Sequence, residues 1–131
     1  MEHIAAAEDY IRGMIIEKVM AAPAAPDRDV AKIDAGIIAN VPDRSNKVQA
    51  PEALKPTNRF GSPQGSIDHL LRAEPKPRIF SRPRRAFAIM PSKVPLGKWD
   101  AYEFVLLIAA HSERHTNQIK EVKADPTFPK K

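Results

Sequence analysis

The sequence predicts an all-α fold, and three observations support that prediction. Apolar residues recur every three or four positions over residues 2–22, which is the spacing of one face of a helix. Regular helical sequence returns over residues 100–124. Aromatic residues make up 6% of the chain and hydrophobic residues 43%, a balance more typical of a modest helical domain than of a β-sandwich. The length of 131 residues predicts a single domain over 1–131.

The first half of the chain is predicted to hold one clear helix followed by loops. A helix over about residues 2–22 ends at Pro23 and Pro26. Its apolar face consists of Ile4, Ala7, Ile11, Met14, Ile15 and Val19. Residues 23–62 are loop-rich, although 27–41 could form a short helix with Ile33, Ile37 and Ile38 facing inward. Residues 42–66 are interpreted as a long loop that acts as a lid or a dimer contact.

The third helix is predicted to be disrupted over about residues 63–90. It begins at Ser62-Pro63 and places Ile67, Leu70 and Leu71 on one face. A proline inside a helix costs about 3 kcal/mol, so the helix cannot continue through Pro75, Pro77 and Pro83.

The C-terminal helix is predicted over about residues 100–124. Asp100 and Glu103 form a capping box at its start, and Asp125-Pro126 ends it. Trp99 and Tyr102 are predicted to anchor this helix in the core.

Composition excludes several classes of function. The chain has no cysteine, so disulfides, thiolate catalysis and cysteine-ligated zinc are excluded. No apolar run approaches the roughly 20 residues of a membrane span, and the N-terminus does not resemble a signal peptide, so we expect a cytoplasmic protein with no membrane partner. The net charge of +5 resides in residues 72–85, which carry six basic side chains and one acidic one.

Two histidines of the last helix are candidate metal ligands. His111 and His115 lie four residues apart and therefore project from the same helix face, which continues through Gln118, Ile119 and Val122 and is predicted to point inward. A catalytic zinc site takes three protein ligands and keeps an open position. The spacing does not choose between His3 and His69 as the third ligand. It also allows ordinary packing of the pair, because H-x-x-x-H is common by chance.

Three stretches of the chain resemble the DinB-like (YfiT-type) proteins. They are WDAYEFVLLIAAHSERHTNQIKEVKADPTFPKK at the C-terminus, VPDRSNKVQAPEALKPT in the middle and EHIAAAEDYIRGMI at the start, about half of the chain in all. The resemblance implies an up-down four-helix bundle with a metal site of three histidines. Carried over by motif, these are His3, His111 and His115, while His69 has no counterpart.

The resemblance also implies a divalent ion, Zn²⁺ or Ni²⁺, and a small-molecule or thiol substrate. Family members include thiol S-transferases and a maleylpyruvate isomerase, and a metal ion can activate a bound thiol or water near neutral pH. A metal-dependent transferase or hydrolase is therefore expected of the intact form, with its catalytic residues unassigned.

Two departures from the family change these expectations. Family members carry a helix before the one with the first histidine, so the bundle is expected to be incomplete, with Ile4, Ile11 and Ile15 exposed unless a second copy covers them in a homodimer. Residues 74–89 do not resemble the family, and a shifted reading frame is one hypothesis for them.

Two alternatives remain open. The first is a non-enzymatic interaction module whose basic segment, residues 72–85, binds an acidic partner. Nucleic acid is not favoured as that partner, because no recognised nucleic-acid motif is present. The second is a truncated remnant of the family without activity.

Several further side chains receive sequence-based assignments. Gln118 either orients a ligand or is a satisfied buried amide, and the second interpretation is favoured. Glu8 is expected to form a salt bridge on the helix surface. Glu113 and Arg114 are expected to lie on a solvated face.

Overall fold

In the part of the chain that the structure describes, most of the regular secondary structure consists of four α-helices, which confirm the all-α class. The computed structural model describes residues 1–19, 28–45, 47, 49–72, 90–91 and 98–129. The helices are α1 (Glu2–Glu17), α2 (Val30–Asn40), α3 (Pro63–Arg72) and α4 (Ala101–Ala124), and a 3₁₀ turn spans Glu52–Leu54. A two-residue antiparallel pair joins β1 (Met90–Pro91) to β2 (Lys98–Trp99). Helix α4 packs against α1 and α2, and α1 also packs against α3 and the 3₁₀ turn.

Helix α1 buries the apolar stripe that the sequence predicts for it. Ile4 and Ile11 are 8% and 7% exposed, and Ile15 is fully buried. The expectation that this stripe would be exposed without a second copy of the chain is therefore wrong, because α3 and α4 of the same chain pack on α1. The helix ends at Glu17, so the predicted end near residue 22 is wrong.

Helix α2 occupies part of the region predicted to be loop-rich. Its N-cap is Asp29, whose carboxylate accepts the Lys32 backbone N–H at 3.0 Å. Ile37 is fully buried, whereas Ile38 is 57% exposed, so the prediction that Ile38 faces inward is wrong. Successive residues of a helix point about 100° apart, and the buried face of α2 includes only the first of this pair.

Helix α3 begins where the sequence predicts and takes Ser62 as its cap. The Ser62 hydroxyl accepts the Gly65 backbone N–H at 2.9 Å. Ser66 is buried on the inner face, whereas Leu71 is 80% exposed, so the predicted inward position of Leu71 is wrong. The prolines at 75, 77 and 83, the anomalous segment 74–89 and the basic residues after Arg72 lie outside the described residues.

Helix α4 starts with the predicted capping box. The Asp100 carboxylate accepts the Glu103 backbone N–H at 2.8 Å, and the Glu103 carboxylate accepts the Asp100 N–H at 2.6 Å. Both carboxylates are buried, and the Arg28 guanidinium donates to Asp100 at 2.6 Å and to Glu103 at 2.7 and 2.8 Å. Burial nevertheless raises the pKa of Glu103. The cap thereby fixes the start of α4 to the chain segment that leads into α2.

The core lies where α1, α2 and α4 meet. The Trp99 ring is fully buried and meets Phe104 edge to face, with the ring centroids 5.4 Å apart. Tyr102 is 38% exposed, so the predicted anchoring role is correct for Trp99 and wrong for Tyr102. Among the described residues, no helix has the length and apolar character needed to cross a membrane.

Candidate metal centre

Helix packing brings the first turn of α1 against the middle of α4. His3 projects from that first turn, and His111 and His115 project from successive turns of α4. The centroid of the His3 ring lies 5.2 Å from that of His111 and 5.0 Å from that of His115. All three side chains are half-buried. Residues at the two ends of the sequence thus form one cluster.

The three imidazoles each present a nitrogen to a common point. The Nε2 atoms of His111 and His115 are 3.1 Å apart, and one ligand nitrogen from each of the three rings lies within 4.8 Å of the others. In a tetrahedral zinc site with Zn–N bonds of about 2.0–2.1 Å, the nitrogens are roughly 3.3 Å apart. The pair on α4 already has that spacing. Among the described residues, this is the one group of three or more potential ligands with such geometry.

Two of the three rings make a further hydrogen bond on the side away from the cluster. The His3 Nδ1–H donates to the Leu54 backbone carbonyl at 2.9 Å. The His115 Nδ1 lies 2.9 Å from the Gln118 side-chain oxygen. His111 differs, since its Nδ1 is buried and has no hydrogen-bond partner in the described part of the chain.

The surroundings favour the neutral form of the α4 imidazoles. Burial, together with the neighbouring His115, His3 and Arg114, lowers the pKa of His111 from 6.5 to about 4. Burial also lowers the pKa of His115, against the opposing effect of its hydrogen bond to Gln118. Because neutral imidazole is the form that binds metal ions, both rings are ready to act as ligands at neutral pH.

The fourth histidine belongs to a different contact. His69 lies on α3, where its Nε2 is 2.8 Å from the Asp9 carboxylate of α1 and its ring stacks on Phe60 with centroids 4.5 Å apart. The spacing in the sequence does not decide whether His3 or His69 is the third member of the group. The structure places His3 there and uses His69 to join α3 to α1.

The face of α4 beyond His115 does not point inward as predicted. Ile119 and Val122 are 45% and 52% exposed and lie outside the hydrophobic core, whose α4 members end at Ala110. Gln118 is exposed as well, so the favoured interpretation of a buried amide is wrong. Its contact with His115 fits the other interpretation, in which it orients a ligand.

The polar residues around the cluster differ in their exposure and in their partners. Glu113 is exposed, as predicted, and Glu8 forms the predicted salt bridge, with Arg12 at 2.9 Å. Arg114 is not on a solvated face, since its guanidinium donates to the backbone carbonyls of Val41 and Asp43. These contacts hold the end of α2 against α4 next to the cluster.

Two contributors to the site were not predicted from the sequence. One is the Leu54 carbonyl, which accepts the hydrogen bond from His3. The other is Glu2, whose carboxylate accepts three backbone N–H groups of the neighbouring loop. A backbone carbonyl in a 3₁₀ turn has no residue signature, and Glu2 reads as an ordinary acidic residue of a first turn. Neither role therefore had a signal in the sequence.

A cleft opens beside His3, between the first turn of α1 and the start of α3. Its volume is about 320 Å³, and its walls mix apolar and small polar side chains. It is lined by Met1, Glu2, His3, Pro56, Asn58, Ser62, Pro63 and Ser66. A small molecule in this cleft would contact the cluster through His3.

Comparison with known proteins adds no relative to this description. No family model matches the chain, and neither does any curated protein or solved structure. The chemistry of the cluster is therefore argued from its donors, which are three imidazole nitrogens. Such donors suit Zn²⁺, Ni²⁺, Cu²⁺ and Fe²⁺ rather than Ca²⁺ or Mg²⁺, which prefer oxygen.

Proposed function

We propose that the chain binds a divalent transition-metal ion, Zn²⁺ or Ni²⁺, through His3, His111 and His115. The observation that carries the proposal is the convergence of three imidazole nitrogens within 4.8 Å of one another from two helices. Spacing predicts only that His111 and His115 share a face. The addition of His3 brings the cluster to the three protein ligands of a catalytic zinc site.

Protonation and hydrogen bonding support the same proposal. The lowered pKa values of His111 and His115 favour the neutral rings that a metal ion requires. Histidine ligands in metal sites commonly donate their other ring N–H to an oxygen atom, and His3 and His115 do so to Leu54 and Gln118. The buried Nδ1 of His111 is the one part of this pattern without a partner in the described residues.

Within this proposal the chain is a DinB-like protein and acts as a metal-dependent transferase or hydrolase. Three protein ligands leave a coordination position for a thiol or a water molecule, whose pKa a bound metal ion lowers. The chain's own part is to supply neutral ligands, to hold their orientation and to offer the cleft beside His3 to the substrate. The family assignment itself rests on the resemblance of sequence motifs.

Metal content of the purified chain tests the proposal. We expect about one equivalent of Zn²⁺ or Ni²⁺ after reloading, measured by elemental analysis, and loss of that metal in the double variant His111→Ala, His115→Ala. His69→Ala is the matched control, because it removes the fourth histidine and leaves the cluster intact. Equal metal content in all three proteins, or none in the wild type, would contradict the proposal.

A further inference from the structure

The outward nitrogens of two ligands are fixed by oxygen atoms that can only accept hydrogen bonds. His3 meets the Leu54 carbonyl and His115 meets the Gln118 amide oxygen, each at 2.9 Å. Because an acceptor oxygen requires a donor opposite it, the hydrogen of each neutral ring lies on Nδ1. The Nε2 lone pair of each ring is then free to point at the cluster.

The Leu54 carbonyl is held in place by Glu2, the residue next to His3. The Glu2 carboxylate accepts the backbone N–H groups of Thr57, Asn58 and Arg59 at 2.6, 2.9 and 3.2 Å. Three amides on one carboxylate fix the loop that follows the 3₁₀ turn to the first turn of α1. Charge-assisted hydrogen bonds of this kind are about twice as strong as neutral ones.

Arg59 completes the attachment of this loop. Its guanidinium donates to the carbonyls of Ala53 and Lys55 at 3.1 and 3.0 Å, on either side of Leu54. The same side chain lies 3.4 Å from the Glu2 carboxylate. The turn that carries the Leu54 carbonyl is therefore braced from both sides against the helix that carries His3.

We propose that Glu2 and Gln118 are positioning residues of the metal centre. Glu2 acts through the Leu54 carbonyl on His3, and Gln118 acts directly on His115, so that both rings offer Nε2 to the ion. This inference rests on the proposed function where it concerns metal affinity. The hydrogen positions that it assigns belong to the metal-free chain and can be measured without any ion.

His111 provides an internal contrast. Its Nδ1 has no acceptor among the described residues, and its Nε2 lies 3.1 Å from the His115 Nε2. If His115 carries its hydrogen on Nδ1, the contact between the two Nε2 atoms is a hydrogen bond only when His111 donates from Nε2. The metal-free chain should therefore hold two rings protonated at Nδ1 and one at Nε2.

Long-range ¹H–¹⁵N correlation spectra of the metal-free, full-length chain test the assignment. Spectra recorded at about pH 8, above the ordinary histidine pKa, report which nitrogen of each ring carries the hydrogen. We expect Nδ1–H for His3 and His115 and Nε2–H for His111. We expect Gln118→Leu to weaken the Nδ1–H preference of His115, Gln118→Glu to preserve it, and Glu2→Gln to weaken that of His3.

Zinc affinity, measured by competition with a chromophoric chelator, is the second measurement. We expect Gln118→Leu and Glu2→Gln to lower the affinity by about 10–100-fold, the usual cost of removing a partner of a metal ligand. Gln64→Leu and Glu17→Gln are matched controls, because Gln64 contacts Asp68 and Glu17 is exposed at the end of α1 opposite to His3. The controls should stay within about twofold of the wild type.

The two measurements separate the failure of this inference from that of the proposed function. Tight zinc binding that is unchanged in both variants, or wild-type rings with Nε2–H at His3 and His115, would overturn the positioning roles. Expected hydrogen positions in a chain that binds no zinc would support the positioning roles and overturn the metal site. If Glu2→Gln loosens the fold, Gln118→Leu still decides, because Gln118 lies on an exposed face.

Discussion

A buried imidazole resists protonation, and the cluster contains two such rings beside a third. His111 is the extreme case, with a pKa lowered to about 4 by burial and by His115, His3 and Arg114. A proton on any one ring would place a charge in a partly desolvated position next to its neighbours. The surroundings of the cluster therefore favour neutral nitrogens, which metal binding requires. The same surroundings make protonation of the rings in acid unfavourable for the folded chain.

The unfavourable protonation of these rings predicts a loss of stability at low pH in the metal-free chain. Between pH 6.5 and about 4 the unfolded chain binds a proton at His111 that the folded chain does not, so the free energy of unfolding falls as the pH is lowered through this window. Urea unfolding in the presence of a chelator, at several pH values, measures the effect. The raised pKa of Glu103 acts in the opposite direction.

The variant His111→Gln isolates the contribution of this one ring. It should show a shallower fall in unfolding free energy over the same pH range. Parallel pH profiles for wild type and His111→Gln would mean that the ring titrates normally.

Among the elements, α4 shows most clearly what can be predicted from local sequence. Asp100-x-x-Glu103 and Asp125-Pro126 mark its start and end with local hydrogen-bonding and steric signals, and the structure has the helix at Ala101–Ala124. The partner of that cap, Arg28, comes from 72 residues earlier, and no pattern connects the two. Local signals predict an element, whereas its partner depends on packing of the whole chain.

The N-cap of α4 is predicted to contribute more to the free energy of unfolding than the N-cap of α2. Asp100→Ala removes an N-cap and a charge-assisted hydrogen bond to Arg28, for a combined loss of about 3 kcal/mol. Asp29→Ala removes only an exposed cap and should cost about 1 kcal/mol. Urea unfolding of both variants measures the difference. Equal losses would show that the Arg28 contact adds nothing to the cap.

Replacement of glycine by alanine is predicted to have opposite effects on stability at two helix positions, Gly65 and Gly13. A Cβ at Gly65 would fall on the Phe60 carbonyl oxygen, so Gly65→Ala should destabilise the chain by about 1–3 kcal/mol, the usual cost of overpacking. A Cβ at Gly13 would meet nothing within 4 Å, so Gly13→Ala should stabilise it by about 0.5–1 kcal/mol through helix propensity. Thermal unfolding of the two variants compares them directly. A gain in stability at Gly65 would show that the loop before α3 moves freely.

The faces of the helices show where prediction from sequence stopped. Ile38 and Leu71 were expected to face inward, and both are exposed. Ile38 lies beside Ile37, which occupies the buried face of α2, and Leu71 lies in the last turn of α3. The residues of the candidate site were likewise predictable only in part. The His111–His115 pair follows from helix spacing, His3 followed only from resemblance to a family, and the Leu54 carbonyl required the structure.

At the scale of the whole molecule, the cluster joins elements that are distant in sequence. His3 belongs to α1, its hydrogen-bond acceptor to the 3₁₀ turn, and the other two rings to α4. An ion bound by all three rings would therefore stabilise the packing of these elements together. Ligands that bind only the folded state raise its stability by mass action.

Zinc is predicted to raise the melting temperature of the wild-type chain. At a free concentration of 100 times the dissociation constant, the gain is about 2.7 kcal/mol, or roughly 10 °C for a chain of this size. The double variant His111→Ala, His115→Ala should show no such shift, as judged by differential scanning calorimetry with and without zinc. A similar shift in both proteins would place zinc binding elsewhere on the chain.

The distance in sequence between His3 and the α4 pair also dictates when the cluster can exist during synthesis. The first ring leaves the ribosome more than one hundred residues before its two partners. At a translation rate of about 5–20 residues per second, the nascent chain holds His3 without its partners for several seconds or more. The complete cluster can form only after the His115 turn of α4 has emerged, so synthesis of more than one hundred residues separates the first ligand from the last.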